Sequence, residues 1–145
     1  MKKTQTYQII DDFPVLIDFD KSVVKKESLT NPSSPIKRTK YSGLFSFFKR
    51  LISPARKATN KNVNFIMESL FNKHKTPRVL IIGGGAIGQS MLPFYTHPNI
   101  EIISFDIYSS KYVQFIADAH NIPLPDNQFD AVIIQAVIEH VLEPN

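Results

Sequence analysis

The 145-residue chain is expected to fold as an α/β protein around a mostly parallel sheet, on three observations. Residues 79–82 (VLII), 100–105 (IEIISF) and 131–135 (AVIIQ) are short, nearly continuous apolar runs, the pattern of strands covered on both faces. Residues 86–95 (AIGQSMLPFY), between the first two runs, have helical character, so a strand, a helix and a strand follow one another as a right-handed βαβ unit. Gly83, Gly84, Gly85 and Gly88 cluster just after the first strand. Together these predict a Rossmann-like sheet of about four strands, incomplete at Asn145, behind an N-terminal helical and basic extension.

Composition bounds the chemistry. The apolar fraction of 43% suits a globular protein, and the absence of cysteine excludes disulfides, thiolate metal sites and cysteine nucleophiles. Residues 1–78 hold sixteen Lys and Arg against six Asp and Glu, whereas residues 79–145 hold one against seven, so a basic front precedes an acidic back. A basic half suits nucleic acid or an anionic surface in principle, but a solvated extension carrying lysines is the simpler reading, and no nucleic-acid partner is expected. The N-terminus lacks the apolar core of a signal peptide and no run is long enough to span a bilayer, so a cytoplasmic protein is expected.

Residues 7–19 (YQIIDDFPVLIDF) read as two β-rich runs around a turn at Asp11, Asp12 and Pro14. From Lys21 to Ser42 the chain turns polar, with Pro32, Ser33, Ser34 and Pro35 beside the basic Lys37, Arg38 and Lys40, as in a linker or weakly ordered arm. Leu44, Phe47, Phe48, Leu51 and Ile52 have the spacing of one helical face, ended by Pro54. Asn62 is a candidate cap for a second helix with Val63, Ile66, Met67, Leu70 and Phe71 on its inner face. Pro93 is expected to bend or end the helix after the glycines. The expected organisation is a hairpin and linker (1–42), amphipathic helices acting as a cap or lid (43–77), and a cofactor-binding half-domain (78–145).

The glycine turn raises the question of what it holds. Glycines allow positive φ and close backbone approach, and a following helix would aim unpaired N–H groups at a ligand. Gly83, Gly85 and Gly88 satisfy G-x-G-x-x-G, and Asp106 ends the second strand where an acid would accept from ribose hydroxyls, which supports NAD as one reading. The same strand, loop, helix, strand and acid also suit S-adenosylmethionine.

Four further pieces bear on that choice. Asp118-Ala119, Ile122-Pro123-Leu124-Pro125, Phe129-Asp130-Ala131-Val132 and Glu139-His140-Val141-Leu142-Glu143-Pro144 follow in this order. From residue 79 to 145 the chain resembles the class I S-adenosylmethionine-dependent methyltransferases, in particular their small-molecule, type 11-like branch. The resemblance implies that the backbone of Gly83, Gly84 and Gly85 cradles the methionine end, and Gly88, displaced from the family's pattern, is counted with the cofactor-binding residues. It implies that Asp106 binds the ribose hydroxyls, Ile107 packs on adenine, and Asp118 and the Ala119 amide read the adenine edge. Gln135 would lie near the methyl group. The family usually carries an acid where Ile81 stands and a third glycine where Ile87 stands, so a contact to the cofactor's amino group would come from elsewhere.

A catalytic base is not assigned. His140 is a weak candidate, since a histidine at a helix start more often makes a local hydrogen bond. His74, His97 and His120 suggest surface and capping roles, and no metal site is expected. The residues after the fourth strand, Gln135-Ala136-Val137-Ile138, do not resemble the N-P-P-Y of enzymes that methylate nucleobase or glutamine nitrogen, so a small-molecule acceptor is expected. An exposed edge at that strand would invite self-association. Two other readings stand beside the methyltransferase: an NAD-binding oxidoreductase module, and a non-catalytic scaffold or RNA-binding relative of the same fold.

Overall fold

The computed structural model describes residues 7–30, 55–88, 90–135 and 137–138. The helix expected over 44–52 and the candidate base His140 lie outside the described residues. Among them the chain runs β1 (Gln8–Ile10), β2 (Phe13–Val15), α1 (Lys26–Thr30), α2 (Ala55–Phe71), β3 (Arg78–Ile82), α3 (Leu92–Thr96), β4 (Glu101–Asp106), β5 (Phe115–Ile116) and β6 (Ala131–Ile134).

The strands form one mostly parallel sheet in the order β1-β2-β5-β4-β3-β6. Six strands stand where about four were expected, because the N-terminal hairpin joins the sheet: β1 pairs antiparallel with β2, and β2 pairs parallel with β5 through Val15 and Ile116. The hairpin turn is Asp11 and Asp12 alone, with φ of 49° and 67°. Two consecutive positive φ values suit a two-residue hairpin turn, and aspartate tolerates them better than most residues. Pro14, expected in the turn, instead lies within β2 opposite Ile9.

Strand β3 explains why the sheet holds. Val79 and Ile81 face one side with Val63 and Leu70 of α2 and Met91 and Phe94; Leu80 and Ile82 face the other with Phe105, Phe115 and Ala117. All four strand residues are at most 3% exposed, as a continuous apolar run between two covered faces requires. Ser104 interrupts the apolar run of β4 without leaving its polar groups unpaired. Its N–H donates to Gln114 Oε1 at 2.6 Å and its hydroxyl to the Tyr112 carbonyl at 2.8 Å, which ties the β4–β5 connection to the sheet.

Both helix boundaries differ from expectation. Helix α2 begins at Ala55, so Asn62 lies inside it, and the expected inner face holds: Val63 and Leu70 are buried, and Ile66 and Met67 pack beside them. Ala55 to Ala58 is a run of favourable helix formers, which lets the helix extend ahead of the expected cap. Between the glycines and β4, among the described residues, only Leu92–Thr96 is helical, and Pro93 sits in its first turn. There its missing N–H costs nothing, so it opens the helix rather than bending or ending it. Part of the expected linker is also ordered, since α1 directs Leu29 onto a cluster of Val15, Ile17 and Ile116.

The other end of β3 is clamped by charge. Asp130 accepts from the Arg78 backbone N–H at 2.8 Å and returns its own N–H to the Arg78 carbonyl, while the Arg78 guanidinium reaches Glu101 at 2.8 Å. Asp130 of the F-D-x-V piece thus serves the sheet rather than the cleft. No helix among the described residues is long and apolar enough to cross a membrane. Phe94, 1% exposed between α2 and β3, fills a large share of the first core. Phe94→Ala is expected to cost roughly 3–5 kcal/mol of stability, read from urea denaturation.

Candidate functional site

Strands β3, β4, β5 and β6 are parallel, so their C-terminal ends open at one edge. The chain leaves β3 toward β4 on one side and reaches β6 on the other, and this reversal of strand order opens a crevice. A cleft of about 540 Å³ lies there, within the range of small-ligand sites.

Of the nine residues expected to hold a cofactor, Gly83, Gly88, Asp106, Ile107, Asp118, Ala119 and Gln135 line this cleft. Gly84 and Gly85 do not. A Cβ on Gly84 would stand 2.1 Å from the Ser104 hydroxyl, so this glycine permits close packing of the turn on β4. Gly85 donates its N–H to Asp106 Oδ2 at 2.9 Å, which fixes the carboxylate beside the turn. The N–H groups of Gly83 and Gly84 both reach the Phe105 carbonyl at 3.0 Å.

The turn works differently from a helix-capped loop. Helix α3 starts four residues beyond Gly88 and spans only five residues, so it does not begin directly at the glycines. Gly83 adopts a φ of 77°, and a Cβ there would come within 2.3 Å of the Gln135 carbonyl. Gln135 Oε1 in turn accepts from the Gly88 N–H at 2.9 Å. The glycines thus let the end of β6 close against the turn. Gln135 Nε2 and the Tyr95 hydroxyl are both buried without a hydrogen-bond partner among the described residues. Burial pushes the Tyr95 hydroxyl above the usual tyrosine range, although nearby Gln135 and Ser104 oppose the shift.

Asp118, 3% exposed, is the most enclosed charge at the site. Its Oδ1 accepts from the His120 backbone N–H at 2.9 Å and contacts His120 Nδ1 at 2.7 Å; its Oδ2 accepts from the Ser22 hydroxyl. Burial opposes its ionisation, but the hydrogen bonds from Ser22 and His120 outweigh burial and hold the carboxyl below the usual aspartate range.

Residues from far away in the chain complete the wall. Val23, Val24, Tyr108, His120 and Val137 line the cleft beside the expected set. Local patterning carries no sign of Val23 and Val24, which sit in a stretch that reads as a polar linker. His120, expected in a surface or capping role, instead pairs with Asp118. Among the described residues no group of three or more His, Asp or Glu is arranged to hold a metal ion.

Residues 91–145 match the family model of a methyltransferase domain. The matched segment is similar to a class I S-adenosylmethionine-dependent methyltransferase domain and takes in under half of the chain. The match to that family takes in Asp106, Asp118 and Gln135 and begins just after the glycine turn. Members of the methyltransferase family typically bind S-adenosylmethionine. No curated protein and no solved structure matches the chain.

Two measurements test the local chemistry. Gly83→Ala combines a strained φ with contact against backbone and is expected to destabilise by about 1–3 kcal/mol, read by chemical denaturation. For Asp118, a folded pKa below the unfolded value adds stability above about pH 4, and this contribution is lost as pH falls through the folded pKa. Asp118→Asn is therefore expected to flatten the acid limb of a stability-versus-pH curve.

Proposed function

We propose that this chain binds S-adenosylmethionine in the cleft and serves methyl transfer to a small-molecule acceptor. The observation that carries the reading is the pair of carboxylates, Asp106 and Asp118, at the ends of neighbouring parallel strands and lining one cleft with Gly83 and Gln135. In this reading Asp106 takes the ribose hydroxyls, Ile107 packs on the adenine, and Asp118 with the Ala119 amide reads the adenine edge. The glycine turn meets the methionine end and Gln135 lies beside the methyl group.

The character of the cleft supports this cofactor over a dinucleotide. Among the described residues that line it there is no Lys or Arg, and the helix after the turn spans only five residues, so a diphosphate would find little compensation. A cationic sulfonium and a purine edge suit two carboxylates better. When bound, the cofactor supplies a methyl group on a positively charged sulfur. The protein's own part is then to hold the ribose and adenine, exclude water with Val137 and Phe105, and align the acceptor.

Calorimetric titration of the full chain with S-adenosylmethionine, S-adenosylhomocysteine and NAD tests the reading. Binding of the first two and not of NAD is expected, with affinity falling at least roughly tenfold in Asp106→Ala. Preference for NAD would overturn it.

A further inference from the structure

The N-terminal segment enters the cleft by topology. Because β2 runs parallel to β5, the residues after Val15 and those after Ile116 emerge at the same edge of the sheet, and the Leu16 N–H continues the pairing to the Ile116 carbonyl at 2.8 Å. The chain then turns at Asp18, whose carbonyl accepts from the Lys21 N–H and whose carboxylate accepts from the Asp20 N–H. It arrives at Ser22 above Asp118. The Ser22 hydroxyl accepts from the Val24 N–H at 3.0 Å and spends its single proton on Asp118 Oδ2. Val24 packs into the cluster of Val15, Ile17 and Ile116, whereas Val23 remains 54% exposed while lining the cleft.

This geometry conflicts with a simple docking of a ligand on Asp118. Oδ1 is taken by two contacts from His120, Oδ2 is met by Ser22, and the residue is 3% exposed. Oδ2 carries the fewer partners of the two oxygens, and Ser22 stands on it. We propose that Ser22 belongs to the ligand site as an internal stand-in, whose hydroxyl occupies Asp118 until an exocyclic amino group of the ligand replaces it and frees the strap of residues 20–24.

Replacement makes the site selective. A 6-amino purine offers an N–H donor of the same sense as the Ser22 hydroxyl, whereas a 6-oxo purine offers an acceptor that repels the carboxylate and cannot displace it. Ser22 thereby sets the threshold that a base must exceed. The inference rests on the reading of the cleft as an adenosine site, and it adds a residue outside the matched methyltransferase region.

The test compares wild type with Ser22→Ala, with thermal unfolding checking that the variant is folded. The probes are S-adenosylhomocysteine and its 6-oxo counterpart, S-inosylhomocysteine. Removing the competing hydroxyl is expected to tighten the amino ligand about five- to tenfold and leave the oxo ligand unchanged. An unchanged or weakened amino ligand, or an equal gain for both, overturns the proposal while leaving the cleft assignment standing. Binding of the amino ligand only in the variant supports it. Binding of neither ligand to either protein overturns the cleft assignment and the stand-in together. A second readout needs no variant: trypsin cleavage after Lys21 and Lys25 in wild type is expected to accelerate when S-adenosylhomocysteine is added, and protection would overturn the proposal.

Discussion

The parallel pairing of β3 with both β4 and β6 is the constraint on which the rest of the molecule depends. A strand hydrogen-bonded on both sides and covered on both faces has one orientation and one register, because a slip of one residue would exchange Val79 and Ile81 with Leu80 and Ile82 against differently shaped surroundings. That register brings Gly83, Asp106 and Gln135 to the same height. The cleft is a consequence of where three strands stop.

The glycine turn is shaped by this packing as much as by any ligand. A Cβ on Gly83 would meet the Gln135 carbonyl and Val137, and one on Gly88 would meet the Gln135 side chain. The turn is thus drawn tightly onto the ends of β4 and β6, and its amides are partly spent within the protein on Phe105, Asp106 and Gln135. With those amides partly spent, polar recognition shifts to the side of the cleft where the two carboxylates lie. The methyltransferase match includes both of them.

The N-terminal hairpin extends the sheet and changes what the cleft contains. A two-residue turn at Asp11 and Asp12 reverses the chain, β2 docks beside β5, and the residues that follow cross above Asp118. Ser109 donates to Asp11 at 2.7 Å, so the hairpin is also tied to the connection leaving β4. An extension that reads as an appendage therefore shares both a sheet and a cleft with the domain behind it.

The fully buried strands were legible because burial on both faces demands continuous apolar runs, and 79–82 has no other plausible use. Asp106 and Asp118 were legible as partners through their place in a resembling pattern, and their meeting in one cleft follows from parallel strand ends. Pro93 and Asn62 are ambiguous in sequence, since a proline is equally at home at the start of a helix and a capping residue is tolerated within one. The sequence by itself determined the apolar strands, the glycine turn and the acids that flank it, because each is written in adjacent residues. Only the tertiary structure decided that Ser22 meets Asp118 and that Asp130 clamps Arg78, because hydrogen bonds between residues 96 and 52 positions apart leave no periodic trace in the chain.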